Sequence, residues 1–364
     1  MKVLIIDTYY SAFIHRHYTS HPGLQNQPYT EQWRVMMDQC FGTADFYSFN
    51  LNNLECEAEE VVANCDALQR QWTREHDFRL WTMYPLYRLS GRIRKWQLAV
   101  LKAQVEQIKP DVLYIHDLNF ADGTFLKEIK KESKLIVGQI AAPFRKDLDL
   151  TPYDLLVTSF PHYVDEFRKR GINSEYLCFA FDNRVLQGVD SSTAKYPVTF
   201  VGGYSPRHSA GTQIFEQLAQ NVPVDFWGYG VDYLTDKSPI RRRYHGELWG
   251  LEMYRVLAKS KVSLNRHIDV AENYANNMRL YEVTGVGTCL VTDWKKNMHQ
   301  LFEPDIEAVT YETAEDCIEK VTYLLEHDDV RESIARAGQQ RTQREHTYSQ
   351  RMQELIGILR KYLA

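Results

Sequence analysis

The sequence predicts an α/β protein of two Rossmann-like, doubly wound domains, and three observations predict it. The chain has 364 residues, more than one hydrophobic core usually organises, so two domains are expected. Short apolar runs alternate with longer amphipathic stretches, the pattern of parallel sheets covered by helices on both faces. The alternation restarts near Pro197, dividing the chain into 1–185, 196–345 and a terminal helix, 346–364, that could cross back to the first domain.

Taken in order, the first strand is Val3–Ile6, within Lys2-Val3-Leu4-Ile5-Ile6-Asp7. This run is too short for the apolar part of a signal peptide and lacks a small-residue cleavage site, so a cytoplasmic protein is expected. Helical patterns follow over Glu31–Phe41, Glu57–Arg70 and Arg92–Ile108, the last stopped by Pro110. Further strands are read at Val112–Ile115, Leu135–Gly138, Leu155–Thr158 and Ser174–Cys178. A linker falls around Asp182–Lys195, where Gly188-Val189-Asp190-Ser191-Ser192 is polar and suited to a hinge. The second series has strands at Val198–Val201, Val224–Trp227, Val262–Leu264, Thr288–Thr292 and Ala308–Tyr311. Its helices are expected at Gly211–Gln220, Gly250–Lys259, Met278–Gly285 and Thr313–Glu326.

Composition narrows the function. With 44% apolar and 25% charged residues the chain can both fill a core and solvate a surface. A net charge of −5 argues against a dedicated nucleic-acid binder, which carries a basic excess. The six cysteines have neither zinc-site spacing nor the density of a disulfide-stapled fold, and read as reduced. No window reaches the roughly 20 apolar residues of a membrane-spanning helix, so membrane contact would be peripheral at most.

Open α/β sheets bind ligands beyond the carboxyl ends of their strands, and the chemistry-bearing residues cluster there. In the second half Asn265-Arg266-His267 ends a strand, and a helix opens at Asn277-Met278-Arg279. Its free N–H groups and dipole would face a phosphate, with Arg279, and Arg266 or Arg207, adding positive charge. Glu282, one turn on, would accept hydrogen bonds from ribose or sugar hydroxyls; the plainer reading is an Arg–Glu pair on a helix surface. Gly202-Gly203, before Tyr204, would let backbone approach a ligand, or is simply a turn, and Arg207 would clamp a diphosphate. Phe226-Trp227-Gly228-Tyr229-Gly230 offers a wall for a base, with core packing expected of Phe226. In the first half His116 and Asp117 end a strand and are candidates for a general base, although Asp117 could equally cap a helix. After the first strand, a loop holds Tyr9 and Tyr10, whose rings would stack on a sugar or a lipid-linked chain, and His15, His17 and His21, which include possible bases or are simply exposed.

The chain resembles the CgeB-like (spore maturation protein type) glycosyltransferases of the group 1 clan. The likeness covers about Pro197 to Ala364, through Phe200-Val201-Gly202-Gly203-Tyr204 with Arg207, Phe226-Trp227-Gly228, Leu264-Asn265, Asn277-Met278-Arg279 with Tyr281-Glu282, Leu290-Val291-Thr292-Asp293 and His346-Thr347-Tyr348 with Arg351. It implies a GT-B fold, two Rossmann-like domains facing across a cleft, and sugar transfer from a nucleotide donor without a bound metal or other cofactor. It implies an acceptor site at the loop after the first strand, and a ribose contact for Glu282. The clan's paired-glutamate pattern expects an acidic residue eight positions before Glu282, where Tyr274 stands, with Glu272 out of register. Asn277 would then supply a donor contact instead.

The expected partners are a nucleotide-sugar donor and a glycan, lipid-linked or protein acceptor, with no nucleic acid. Two rivals are a sugar-nucleotide epimerase of the same fold and a non-catalytic sugar-nucleotide binding protein. Hydride transfer is disfavoured because no G-x-G-x-x-G follows the first strand.

Overall fold

The computed structural model describes residues 1–78, 93–145, 147–190, 193–205 and 209–363. They form two compact units, one of residues 1–177 with 352–364 and the other of residues 178–351.

Unit 1 runs β1 (Lys2–Asp7), α1 (Ser11–Ser20), α2 (Tyr29–Met37), α3 (Phe46–Asn52), β2 (Glu57–Val62), α4 (Asp66–Glu75), α5 (Ile93–Ile108), β3 (Val112–Ile115), α6 (Gly123–Ile129), β4 (Leu135–Gln139), β5 (Leu155–Thr158), α7 (Pro161–Lys169) and β6 (Ser174–Tyr176). The sheet order is β2-β1-β3-β4-β5-β6, parallel at every pairing. Every residue of β3, β4 and β5 is buried, as expected of strands covered on both faces.

Two expectations are corrected here. Residues Glu57–Val62 form a strand, and the helix begins only at Asp66. Glu57 and Glu59 point outward on this edge strand, and Lys2 Nζ on β1 lies 2.6 Å from Glu57. Cross-strand charge pairing and burial of Val61 and Val62 outweigh the low strand propensity of glutamate. The segment after β1 is a helix from Ser11, not a loop. Its buried residues Phe13 and His17 are one turn apart, and Phe13 stacks on Phe41 with ring centroids 4.0 Å apart.

Unit 2 runs β7 (Tyr196–Val201), α8 (Ser209–Asn221), β8 (Val224–Trp227), α9 (Gly250–Ala258), β9 (Ser260–Asn265), α10 (Met278–Gly285), β10 (Cys289–Asp293), α11 (Met298–Leu301), β11 (Val309–Tyr311), α12 (Ala314–Glu326) and α13 (Asp328–Glu345). α14 (Tyr348–Leu363) closes the chain, its residues from Met352 belonging to unit 1. The sheet order is β11-β10-β9-β7-β8, again parallel. The core of unit 2 gathers Val198, Phe200, Phe226, Val262, Leu264 and Val291 from the strands against Phe215, Leu218, Val321 and Leu324 from the helices. Linker residues Asn183–Gly188 form a 3-10 turn capped by Asp182, whose side chain accepts the Arg184 N–H. No helix among the described residues is long and apolar enough to cross a membrane.

Candidate active site

In unit 2 the strand order reverses between β7 and β9, where an open sheet leaves a crevice at its carboxyl end. Gly202 and Gly203 follow β7 there, and Asn265 ends β9 with Arg266 and His267 next in the chain. The helix expected to hold a phosphate, α10, is fastened to this point by its own cap. Asn277 Oδ1 accepts the Leu280 N–H at 3.3 Å, and Asn277 Nδ2 donates to Asn265 Oδ1 at 2.9 Å and to the Arg266 carbonyl at 3.1 Å. Asn265 Nδ2 donates in turn to Thr292 Oγ1 at 2.9 Å. The cap thus leaves the first-turn amides of Met278 and Arg279 without intrahelical acceptors, at the carboxyl ends of β9 and β10. Asn277 is a bracket: the polar atoms of its side chain are engaged within the protein.

Arg266 is 8% exposed. Its Nη1 donates to Thr212 Oγ1 at 3.1 Å and its Nη2 to the Gly203 carbonyl at 3.2 Å, with the guanidinium over the rings of Phe200 and Phe215. Burial draws its pKa down. It therefore ties the end of β9 to the turn after β7 and to α8, and places a positive charge at the crevice. Arg207, expected to act beside it, lies outside the described residues.

Arg279 and Glu282 are brought together with each other. Arg279 Nη1 lies 2.6 Å from Glu282 Oε2, with side-chain exposures of 16% and 7%, and the Tyr254 hydroxyl donates to Glu282 Oε1 at 3.4 Å. The pair is partly buried, where the plainer reading of the sequence put it on a helix surface. Gly202 and Gly203 have packing reasons for lacking a Cβ, since one would meet the Phe200 ring at 2.5 Å or the Tyr229 ring at 2.5 Å. Tyr204 is a core residue, 1% exposed, with its N–H on the Tyr229 carbonyl. Phe226 is core as expected, and Tyr229 stacks on Trp249 with centroids 5.6 Å apart.

In unit 1 the reversal falls between β1 and β3, and His116 and Asp117 follow β3 there. His116 Nδ1 is 3.3 Å from Asp7 Oδ2 and 3.4 Å from Thr43 Oγ1, and Thr43 also donates to Asp7 at 3.2 Å. Its ring sits edge-on between Tyr47 and Tyr114, and its Nε2 is buried without a partner. Asp117 accepts the Thr8 hydroxyl at 2.8 Å and the Asn119 N–H at 2.9 Å, so it closes its own turn, while Asp122 is the residue that caps α6. Tyr9 is packed inside the unit against Phe13 and Phe41, so its ring is not presented to an acceptor. Tyr10 and His15 are exposed, and His21 Nδ1 bonds the His17 carbonyl at 2.8 Å.

Asp7 and Asp293 stand in motifs quoted from the sequence but were given no role there, and Thr43 was not singled out. Asp7 and Asp293 each end a strand, a position that could have singled them out. Thr43 has no local signal, because it is brought to His116 only by the fold.

Residues 207–357 match the sequence family described as glycosyl transferase-like. Among solved structures, the chain is similar to HepE from Anabaena in complex with UDP-glucose, with a TM-score of 0.62 and 12% identity over 99% of this chain and 100% of that one. It is also similar to AviGT4, a glycosyltransferase involved in avilamycin A biosynthesis, with a TM-score of 0.58 and 10% identity over 100% and 98%. Sucrose-phosphate synthase from Thermosynechococcus elongatus gives a TM-score of 0.58 at 9% identity over 99% and 98%. No curated protein sequence matches the chain. The structural likenesses establish the GT-B fold, with its two Rossmann-like units. Fold and family match agree on one class of enzyme: the protein is a glycosyltransferase.

Proposed function

We propose that the protein is a CgeB-like glycosyltransferase that moves a sugar from a nucleotide-sugar donor to a hydroxyl of a glycan, lipid-linked or protein acceptor, without a bound metal. In this reading the donor's diphosphate rests on the amides of Met278 and Arg279 and near the buried Arg266 charge. Positive groups fixed where negative charge develops are the largest usual catalytic term, and here they do the work of a cation. The acceptor oxygen forms a bond to the anomeric carbon, the bond from that carbon to the diphosphate oxygen breaks, and the electron pair leaves with the diphosphate. In a direct displacement the acceptor proton passes to His116, whose Nδ1 faces Asp7 so that Nε2 is the basic nitrogen. Tyr10 and His15 remain as surface groups for the acceptor. Glu282 holds Arg279 through Oε2, so a ribose hydroxyl would be accepted at Oε1, which has the Tyr254 hydroxyl at 3.4 Å.

The observation that carries the reading is the Asn277 cap, which fastens a helix N-terminus to the strand ends at the point of reversal. A thermal-shift screen against UDP-, GDP-, dTDP- and CMP-sugars tests it, because a ligand that binds only the native state raises Tm. One donor should raise Tm in the wild type and in His116→Ala, and lose its effect in Arg266→Ala, while His116→Ala loses transfer. No response to any donor, or an undiminished response in Arg266→Ala, would contradict it.

A further inference from the structure

One buried side chain at the same strand ends has a hydrogen-bonding position that the fold leaves empty. His267 follows β9, and its side chain is 1% exposed. Its Nδ1 is 2.7 Å from Asp293 Oδ1, and that oxygen also accepts the His267 N–H at 3.0 Å and the Thr292 hydroxyl at 3.2 Å. Lys295 Nζ stands 3.4 Å from the other carboxylate oxygen. Burial by itself would push the Asp293 carboxyl up, but His267 and Lys295 outweigh it and hold the group below the usual carboxylate range. An ionised carboxylate can only accept, so Nδ1 carries the proton and the ring orientation is fixed. Nε2 is then left buried with no partner.

Its place in the fold says what would fill it. The Arg266 carbonyl, part of the peptide that carries the His267 N–H, accepts from Asn277 Nδ2, so His267 is one peptide away from the cap of α10. A continuous chain of hydrogen bonds runs from Asn277 through Asn265 and Thr292 to Asp293 and His267. The helix N-terminus and Arg266 make this corner positive, which suits an anionic ligand, and the Asp293 carboxylate behind the ring fixes which nitrogen faces away from it. We propose that His267 contacts the leaving diphosphate of the donor, Nε2 taking a proton from solvent and donating it in a hydrogen bond to a phosphate oxygen while Asp293 balances the charge. This rests on the donor-site reading above. The nitrogen is covered by protein, so the contact includes a side-chain rearrangement as the ligand enters, a common event at binding surfaces. A purely structural role would need only the bond to Asp293, which does not use the second ring nitrogen.

Two substitutions separate the roles. Asparagine can keep a donor where Nδ1 stands but has nothing at Nε2, whereas glutamine reaches toward Nε2. Isothermal titration with UDP, GDP, ADP and dTDP, and with the matching nucleosides, reads the contact. For the diphosphate the wild type binds best, His267→Asn should weaken affinity roughly ten- to a hundredfold, as loss of a hydrogen bond to a charged group does. His267→Gln should recover part of the loss, and nucleoside affinity should not change. Diphosphate affinity within twofold of wild type in His267→Asn, or an equal loss for the nucleoside, overturns the proposal. If His267→Asn does not fold, Asp293→Asn gives the same reading: several-fold weaker diphosphate binding supports the proposal, and unchanged binding overturns it. A wild type that binds none of the four diphosphates overturns the donor-site reading itself, and this inference with it.

Discussion

Arg279 and Glu282 use each other's charge, and the consequence is thermodynamic before it is functional. Removing one partner of a largely buried pair leaves the other charge unpaired, at a cost of roughly 3 kcal/mol. Arg279→Ala should therefore lower stability in urea unfolding by about that amount, and Arg279→Ala with Glu282→Ala should recover most of it; no change in the single variant would show the pair to be idle. Glu60 is the opposite case, a carboxyl with no cation paired to it among the described residues. Ser48 donates its N–H to one oxygen at 3.3 Å, the other has no partner, and burial followed by repulsion from Asp45 pushes its pKa well up. Because the folded-state pKa lies above the unfolded one, this residue's contribution weakens as pH rises above the ordinary glutamate range. Glu60→Gln should raise Tm at pH 7 by about 2–4 °C, roughly 1 kcal/mol, with the gap closing near pH 4; a gap independent of pH would contradict the assignment. The strand-end positions of single residues were legible where an apolar run gives way to polar residues, as at Arg266 and His116. Their pairings were not legible where the partner is distant in sequence, as with Asp7 for His116 or Asp293 for His267, because pairing across strands leaves no local pattern.

At the scale of elements, central strands made almost wholly of apolar residues, such as β3 and β5, could be read to the residue, because burial on both faces admits little else. β2 could not, since an edge strand paired on one side tolerates glutamates that read as helical. α13 escaped for the converse reason. Its buried stripe is Arg331, Ile334, Gly338 and Thr342, helically spaced but with one aliphatic side chain. The helix start at Asn277 was legible because an N-cap is a short-range signal; at Thr347, Gln350 Oε1 likewise accepts the Thr347 N–H at 2.9 Å. Glycines were legible as turns but not for their reason. Gly228 has φ +135°, and a Cβ there would sit 1.7 Å from the Gly202 carbonyl oxygen, where the paired strands β7 and β8 end side by side. Gly228→Ala should cost about 2–4 kcal/mol in unfolding experiments, combining backbone strain with overpacking, and a cost under 1 kcal/mol would show that the two turns can part freely.

For the whole molecule, acid is a condition that weakens both units, because each buries a histidine whose pKa is lowered. Burial pushes His17 in unit 1 and His346 in unit 2 down to about 4. With folded-state values below the ordinary 6.5, both contribute fully above that pH and lose their contribution as pH falls toward 4. Each is worth on the order of 2–3 kcal/mol across that window, so Tm should fall between pH 6.5 and 4, and His17→Leu or His346→Gln should flatten the fall in its own unit's transition. An unaltered acid limb in both variants would contradict the assignment. The GT-B fold class and the glycosyl transferase-like pattern of the second half were both readable in the chain, because strand–helix alternation and strand-end motifs are local. The side-chain pairings that arm the strand ends were not, because they join residues far apart in the chain. The most direct test of the donor site is the structure of the protein with the nucleoside diphosphate it binds best. The diphosphate is predicted to lie at the amides of Met278 and Arg279, beside Arg266, at the reversal between β7 and β9. Diphosphate bound elsewhere, with those amides untouched, would contradict the role given to the Asn277-capped helix.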